Sequence, residues 1–173
     1  MVARRDDGSV WTSAQEAERI YWTKRCSDPI GIMYEIGEHL DLAWRLKATC
    51  LGTPGIVLDV GVGPMGTGLL WLFPEARVKI GLDSLRRMPV ATGNPYADEL
   101  VRTIRADSHY FIGSAERLPF GNQTFDVVVC NNVLDHVAQP VHVLSEVCRV
   151  VRPEGCLALG IDMTKEPIPV VPA

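Results

Sequence analysis

The stretch Ile56-Val57-Leu58-Asp59-Val60-Gly61-Val62-Gly63-Pro64-Met65-Gly66 constrains the fold more than any other part of the chain. It starts as an apolar run broken only by one acid and ends in three glycines. Such a run reads as a strand buried on both faces, as in a parallel sheet. The glycines then turn the chain toward a helix and, lacking a Cβ, let backbone approach a ligand. Two acids accompany the turn: Asp59, two residues before Gly61, and Asp83, 22 residues after it. A dinucleotide-binding turn has its informative acid at the second place, where a carboxylate can accept ribose hydroxyls. Asp59 is the additional one.

Strand and helix patterns alternate from here on. Strands are expected at Ile56–Val60, Val78–Leu82, Tyr110–Ile112, Phe125–Cys130 and Cys156–Ile161. Helices are expected at Thr67–Phe73, Ala97–Arg105 and from Pro140 to Val151, with Pro153-Glu154-Gly155 ending the last. Ahead of them, Ser13 is a candidate cap for a helix from Ala14 to Lys24. Asp28-Pro29-Ile30-Gly31 breaks that helix, and a second spans Tyr34 to Thr49. The pattern predicts an α/β fold: a doubly wound, Rossmann-like, mostly parallel sheet with helices on both faces. Residues 1–55 read as a helical cap segment and 56–173 as the core. Ligands on such sheets bind outside the carboxyl ends of the strands, here Asp59–Gly63, Asp83, Gly113–Ala115 and Asn131.

Composition excludes several partners. With 47% apolar residues in 173, the chain has the material for one packed core. The net charge of −4 and scattered basic residues argue against nucleic acid. No apolar run approaches the roughly 18 residues of a membrane helix, and the N-terminus lacks a signal-peptide core. Five widely spaced cysteines (Cys26, Cys50, Cys130, Cys148, Cys156) fit reduced thiols in a cytoplasmic protein better than a disulfide frame. Neither they nor the four histidines have metal-ligand spacing, so no metal is expected.

Five pieces in order, Val57–Gly66, Gly81–Asp83, Gly113–Phe120, Phe125–Val137 and Leu144–Gly155, resemble the class I S-adenosylmethionine-dependent methyltransferases. The likeness is to the small-molecule, type 11-like enzymes with a Leu-Pro-Phe segment, here Leu118-Pro119-Phe120. The resemblance implies S-adenosyl-L-methionine as cofactor. Asp59 would organise the glycine turn and face the cofactor's cationic end, directly or through water. Gly61, Val62 and Gly63 would bring backbone to the methionine and ribose parts. Asp83, with Ser84 beside it, would hold the ribose hydroxyls; its alternative is a cap for the following segment. Ser114 and Ala115 would lie at the adenine edge, and Asn131 would offer backbone near the methionine. For Asn131 and Asn132 a plain loop turn is the alternative.

Departures from the family pattern are visible too. Met65 stands where a third loop glycine is frequent, and its bulk is expected to shape the pocket. Ser114 replaces a common acid, which leaves an adenine contact without charge assistance. After Ile161 the family's sheet normally adds a helix and an antiparallel strand pair. Here the remaining residues carry Pro167, Pro169 and Pro172, which do not suit a central strand. Either the chain is a truncated form or another subunit completes the edge, and an uncovered edge of this kind predicts a homo-oligomer or poor solubility.

Methyl transfer asks mainly for alignment and exclusion of water. A base is required only for a protonated acceptor, and Asp135-His136, just beyond the fourth strand, is the candidate pair. The preferred reading of that pair is two polar residues at a helix start. Tyr21 and Trp22 on the first helix are positioned to cover the cofactor or to pack on the sheet. The expected acceptor is a small molecule. A cofactor-binding module without turnover is the alternative, and an NAD(P)-dependent oxidoreductase the weaker one.

Overall fold

The computed structural model describes residues 9–38 and 54–161. The proline-bearing end and the far part of the expected second helix lie outside the described residues. Five strands form one sheet: β1 (Ile56–Val60), β2 (Val78–Asp83), β3 (His109–Ile112), β4 (Phe125–Asn131) and β5 (Val151–Gly160). Their order is β3-β2-β1-β4-β5, and every neighbouring pair is parallel. Strand β1 is central, with Leu58 between Ile80 and Val128. The chain runs outward from β1 through β2 to β3 and then returns to β4 on the other side. The strand order therefore reverses beside β1, and a crevice opens there at the carboxyl ends.

Alternation of side chains across a strand explains the two layers. Val57, Val127 and Val129 face Leu69, Leu70, Leu72 and Phe73 from the segment after β1. Leu58, Val60, Val128 and Cys130 face the opposite layer, where Val143, Val147 and Val150 cover them. Those valines lie on α4 (Pro140–Val150), at the helical spacing of one face, with proline in the first turn. Helix α3 (Pro95–Ala106) starts at Asn94, whose side-chain oxygen accepts the N–H groups of Tyr96 and Ala97 at 3.0 and 3.3 Å. Helices α1 (Ser9–Arg25) and α2 (Pro29–Glu38) form a hairpin. Cys26 and Ile32 from that hairpin are buried with Met65, Ala97 and Val101, which fastens it to the glycine turn and to α3.

The structure corrects several expectations. Thr67–Phe73 holds only a single 3-10 turn, Leu70–Leu72. Gly68 has φ +41, and a Cβ there would lie 2.1 Å from Asp59 Oδ2. The Leu69 N–H goes to that carboxylate. Pro29 does not separate helices by a long break; it opens α2, with Asp28 Oδ1 accepting the Ile30 N–H at 3.0 Å. Helix α1 begins at Ser9, so Ser13 lies inside it. Pro153-Glu154-Gly155 falls within β5, not ahead of it. Phe125 pairs with Val151 and Val127 with Cys156, so the three residues form a bulge, with Glu154 at φ +64. Cys26, Cys130 and Cys148 are free thiols, but Cys156 is disulfide-bonded, against the expectation of reduced cysteines throughout. It sits part-buried on β5, at the edge of the sheet.

Candidate functional site

The turn after β1 is stitched to the end of β2. Gly61 and Val62 donate their N–H groups to Leu82 O at 2.8 and 3.2 Å. Asp83 continues the seam with its side chain: Oδ2 accepts the Gly63 N–H at 2.9 Å and Oδ1 the Leu85 N–H at 2.8 Å. Burial pushes the Asp83 carboxyl up, and the bonds from Leu85 and Gly63 pull against it. Asp59 works from beneath. Its Oδ2 accepts the Leu69 N–H at 2.6 Å. Burial first, and the charge of Asp83 in addition, push the Asp59 carboxyl up to about 7.

Helix α1 crosses above this turn. A Cβ on Gly63, which has φ +71, would meet the Trp22 ring at 2.9 Å, so the indole lies directly on the glycine backbone. The Trp22 Nε1–H donates to Glu18 Oε2 at 3.1 Å. The other Glu18 oxygen stands 3.2 Å from His136 Nδ1, and this contact holds the Glu18 carboxyl below its usual range. His136 Nε2 lies 3.3 Å from Asp135 Oδ2. Ser84 donates to Gln15 Oε1 at 3.3 Å. Helix α1 is thus tied at three levels to the loops that follow β1, β2 and β4.

Helix and sheet ends enclose a cavity of about 730 Å³, within the ordinary range for a small-molecule site. Of the residues singled out in the sequence, Gly61, Val62, Gly63, Asp83, Ser84, Ser114, Ala115, Asn131 and His136 border it. Asp59 and Asp135 do not. Met65 borders the cavity while its side chain is buried with Cys26 and Ile32. Ser114 spends its hydroxyl oxygen locally, accepting the Glu116 N–H at 3.2 Å. The Leu118–Phe120 segment lies outside the cavity and is clamped to α4: Glu146 accepts the Leu118 N–H at 2.7 Å, and Arg149 donates to Phe120 O at 2.8 Å.

Other cavity residues escaped the sequence reading: Glu18, Arg25, Tyr34, Glu35 and Gly160; Asn132, weighed in the sequence beside Asn131, borders the cavity too. Glu18, Trp22 and Arg25 sit at i, i+4 and i+7, a one-face spacing that identifies the inner side of α1. Asn132 has the more specific signal. It adopts φ +54, its N–H donates to Gly160 O at 2.9 Å, and its buried Oδ1 has no hydrogen-bond donor among the described residues. A buried acceptor without a partner costs free energy until a ligand or water supplies one.

A family described as methyltransferase domain matches residues 58–159, the interval from β1 to β5. The chain belongs to the class I S-adenosylmethionine-dependent methyltransferases. An uncharacterised methyltransferase of Schizosaccharomyces pombe is 33% identical to it over 124 residues, 65% of this chain and 44% of that protein. The methyltransferase YcgJ of Bacillus subtilis is 30% identical over 116 residues, 66% of this chain and 44% of YcgJ. This family member therefore spans less than half the length of those relatives. The crystal structure of YcgJ superposes with a TM-score of 0.56 at 28% identity, covering 70% of this chain and 50% of that one. The [4+2]-cyclase SpnF shares the fold at 25% identity and a TM-score of 0.52, covering 69% of this chain and 42% of that one.

Proposed function

We propose that this methyltransferase-family chain binds S-adenosylmethionine in the cavity and moves its methyl group to a small-molecule acceptor. The supporting observation is one of placement. The ends of β1, β2 and β4 and the loop after β3 bring Gly61–Gly63, Asp83, Asn131–Asn132 and Ser114–Ala115 around a single cavity. The cavity is large enough for the group, and the orphan Asn132 Oδ1 offers an acceptor to a cationic or N–H-bearing end.

Asp83 is the residue for the ribose. Each of its oxygens already accepts one backbone N–H, and a carboxylate keeps further lone-pair sites for two hydroxyls. Ser114 and Ala115 would border the adenine. Gly63 would offer backbone to the ribose and methionine parts, and Trp22 over the turn would shield them from water. The cofactor itself supplies an activated methyl on a sulfonium. No general base is assigned: His136 stands on the wall, but its two ring nitrogens face the carboxylates of Glu18 and Asp135.

Calorimetric titration with S-adenosylhomocysteine tests this reading. Asp83→Ala is expected to weaken binding roughly tenfold or more, the loss of charge-assisted hydrogen bonds. NADH binding with no S-adenosylhomocysteine binding overturns it. Because a cyclase shares the fold, turnover is a separate measurement. Methyl transfer from labelled cofactor to a panel of small acceptors distinguishes an enzyme from a silent binding module.

A further inference from the structure

Helix α2 carries apolar side chains on two sides. Ile32 is fully buried with Cys26, Met65 and Val101, and Ile36 packs against them. That is the one apolar stripe a surface helix needs. The outer side is ordinarily polar, as on α3, where Glu99 and Arg102 pair in solvent. On α2 the outer side carries Ile30, Met33 and Tyr34 instead, 78%, 54% and 53% exposed. They stand at i, i+3 and i+4, so they form one ridge. Gly37, a turn further on, adds no side chain to it, and nothing lies within 4 Å of where its Cβ would be. Single exposed apolar residues are ordinary, but three neighbours on a helix of 10 residues are a patch.

The ridge runs into the cavity. Tyr34 belongs to both, and Tyr21, 45% exposed, also borders the cavity. The Arg25 guanidinium lies 5.2 and 5.0 Å from the two ring centres and joins them into one rim. Size and charge then narrow the occupant of the ridge. Its side chains expose on the order of a few hundred Å², against about 800 Å² per partner in a standard protein interface. Helix α2 has no lysine or arginine, the residues that an anionic membrane surface attracts. A single hydrocarbon chain needs neither the area nor the charge.

We propose that the methyl acceptor is amphipathic, its reactive head in the cavity and its apolar chain lying from Tyr34 along Met33 and Ile30. This rests on the reading of the cavity as the methyl-transfer site. Calorimetry on the whole chain saturated with S-adenosylhomocysteine tests it with two probe series, 4-alkylphenols and n-alkylamines, with chains of four, six and eight carbons. In at least one series the wild-type affinity rises roughly twofold or more per added methylene, short of the about fourfold of full burial because the ridge is open on one side. The double variant Ile30→Ser/Met33→Ser changes only exposed side chains. It flattens the rise and leaves the affinity for S-adenosylhomocysteine unchanged.

The proposal is overturned if neither series rises with chain length in the wild type, or if the double variant keeps the wild-type rise. Two other occupants overturn it when they appear in place of the rise. One is a wild-type dimer in sedimentation that the double variant converts to a monomer, which assigns the ridge to a second copy. The other is wild-type binding to phosphatidylcholine vesicles that the double variant loses, which assigns it to a lipid surface. Should the wild type bind no S-adenosylhomocysteine, the methyl-transfer reading fails by itself. The same series on unsaturated protein then decides the ridge: a rise lost in the double variant supports it, and no rise overturns it.

Discussion

Asp59 Oδ2 and the Leu69 N–H meet at 2.6 Å across the glycine turn, beside Gly68, whose left-handed φ of +41 keeps the segment out of the expected helix. Burial, working against that bond, sets the electrostatic state of Asp59. Burial raises its carboxyl to about 7, above the ordinary value of 3.8, despite the opposing bond from Leu69. A carboxyl raised in the fold favours the neutral form there. Its stabilising contribution is complete below about pH 4 and is lost as pH rises through about 7. Asp59→Asn keeps an oxygen for Leu69 and imitates the neutral acid. Urea unfolding is expected to show the wild type losing stability relative to Asp59→Asn between pH 4 and 8, by on the order of a few kcal/mol. Parallel pH curves for the two proteins would refute this assignment.

Trp22 and Gly63 make a second coupled pair, because the indole rests on a glycine that has no room for a Cβ. Gly63→Ala carries both a clash with the ring and an alanine at φ +71. The combined cost is expected to be about 2–4 kcal/mol, of which the backbone share is about 1–3 kcal/mol. Trp22→Ala removes the clash but not the backbone strain. In a double-mutant cycle measured by thermal unfolding, the pair should therefore lose less stability than the sum of the single variants. Strict additivity would mean that Trp22 does not lie on the turn.

How far the sequence reveals this site depends on which backbone groups the side chains serve. The strands were readable because their apolar runs have no competing explanation, and Val57–Val60 is buried throughout as the pattern requires. The segment from Thr67 to Phe73 carries helical spacing yet forms one 3-10 turn, since Gly68 takes a left-handed φ of +41 while Asp59 accepts the Leu69 N–H beside it. No local pattern contains that contact, made ten residues away in the chain. Likewise Asp83 was recognisable by its distance from Gly61, whereas Glu18, Arg25 and Asn132 reach the cavity only through packing of α1 and a left-handed backbone at β4's end. The bulge at Pro153–Gly155 looks like a helix stop in the sequence because proline and glycine mark both.

Glu18 links two aromatic groups on different elements, accepting from the Trp22 indole and facing His136. Glu18→Gln retains the shape but removes the charge that holds the His136 side of the contact. The pair is partly exposed, so its stability share is small, about 1 kcal/mol or less. Hydrogen exchange should report it better than unfolding does. Amide protons of α1 around Trp22 are expected to exchange several-fold faster in Glu18→Gln, consistent with a local opening that costs less, while those of β1 stay unchanged. Equal protection of α1 in both proteins would show that the contact does not restrain the helix.

Asn132 holds the last lever, since its Oδ1 is buried without a donor and its backbone is left-handed at φ +54. An orphan acceptor of this kind costs about 1–3 kcal/mol in the ligand-free protein. Asn132→Gly keeps the backbone conformation at no steric cost and deletes the orphan oxygen. The ligand-free variant is therefore expected to unfold at an equal or higher urea midpoint, up to about 1 kcal/mol more stable. Its affinity for S-adenosylhomocysteine is expected to fall several-fold, because the donor that satisfies Oδ1 comes from the ligand. Such opposed signs are the mark of a residue kept for function at the expense of stability. A variant that loses stability while binding with wild-type affinity would place Asn132 among the purely structural residues of the β4 turn.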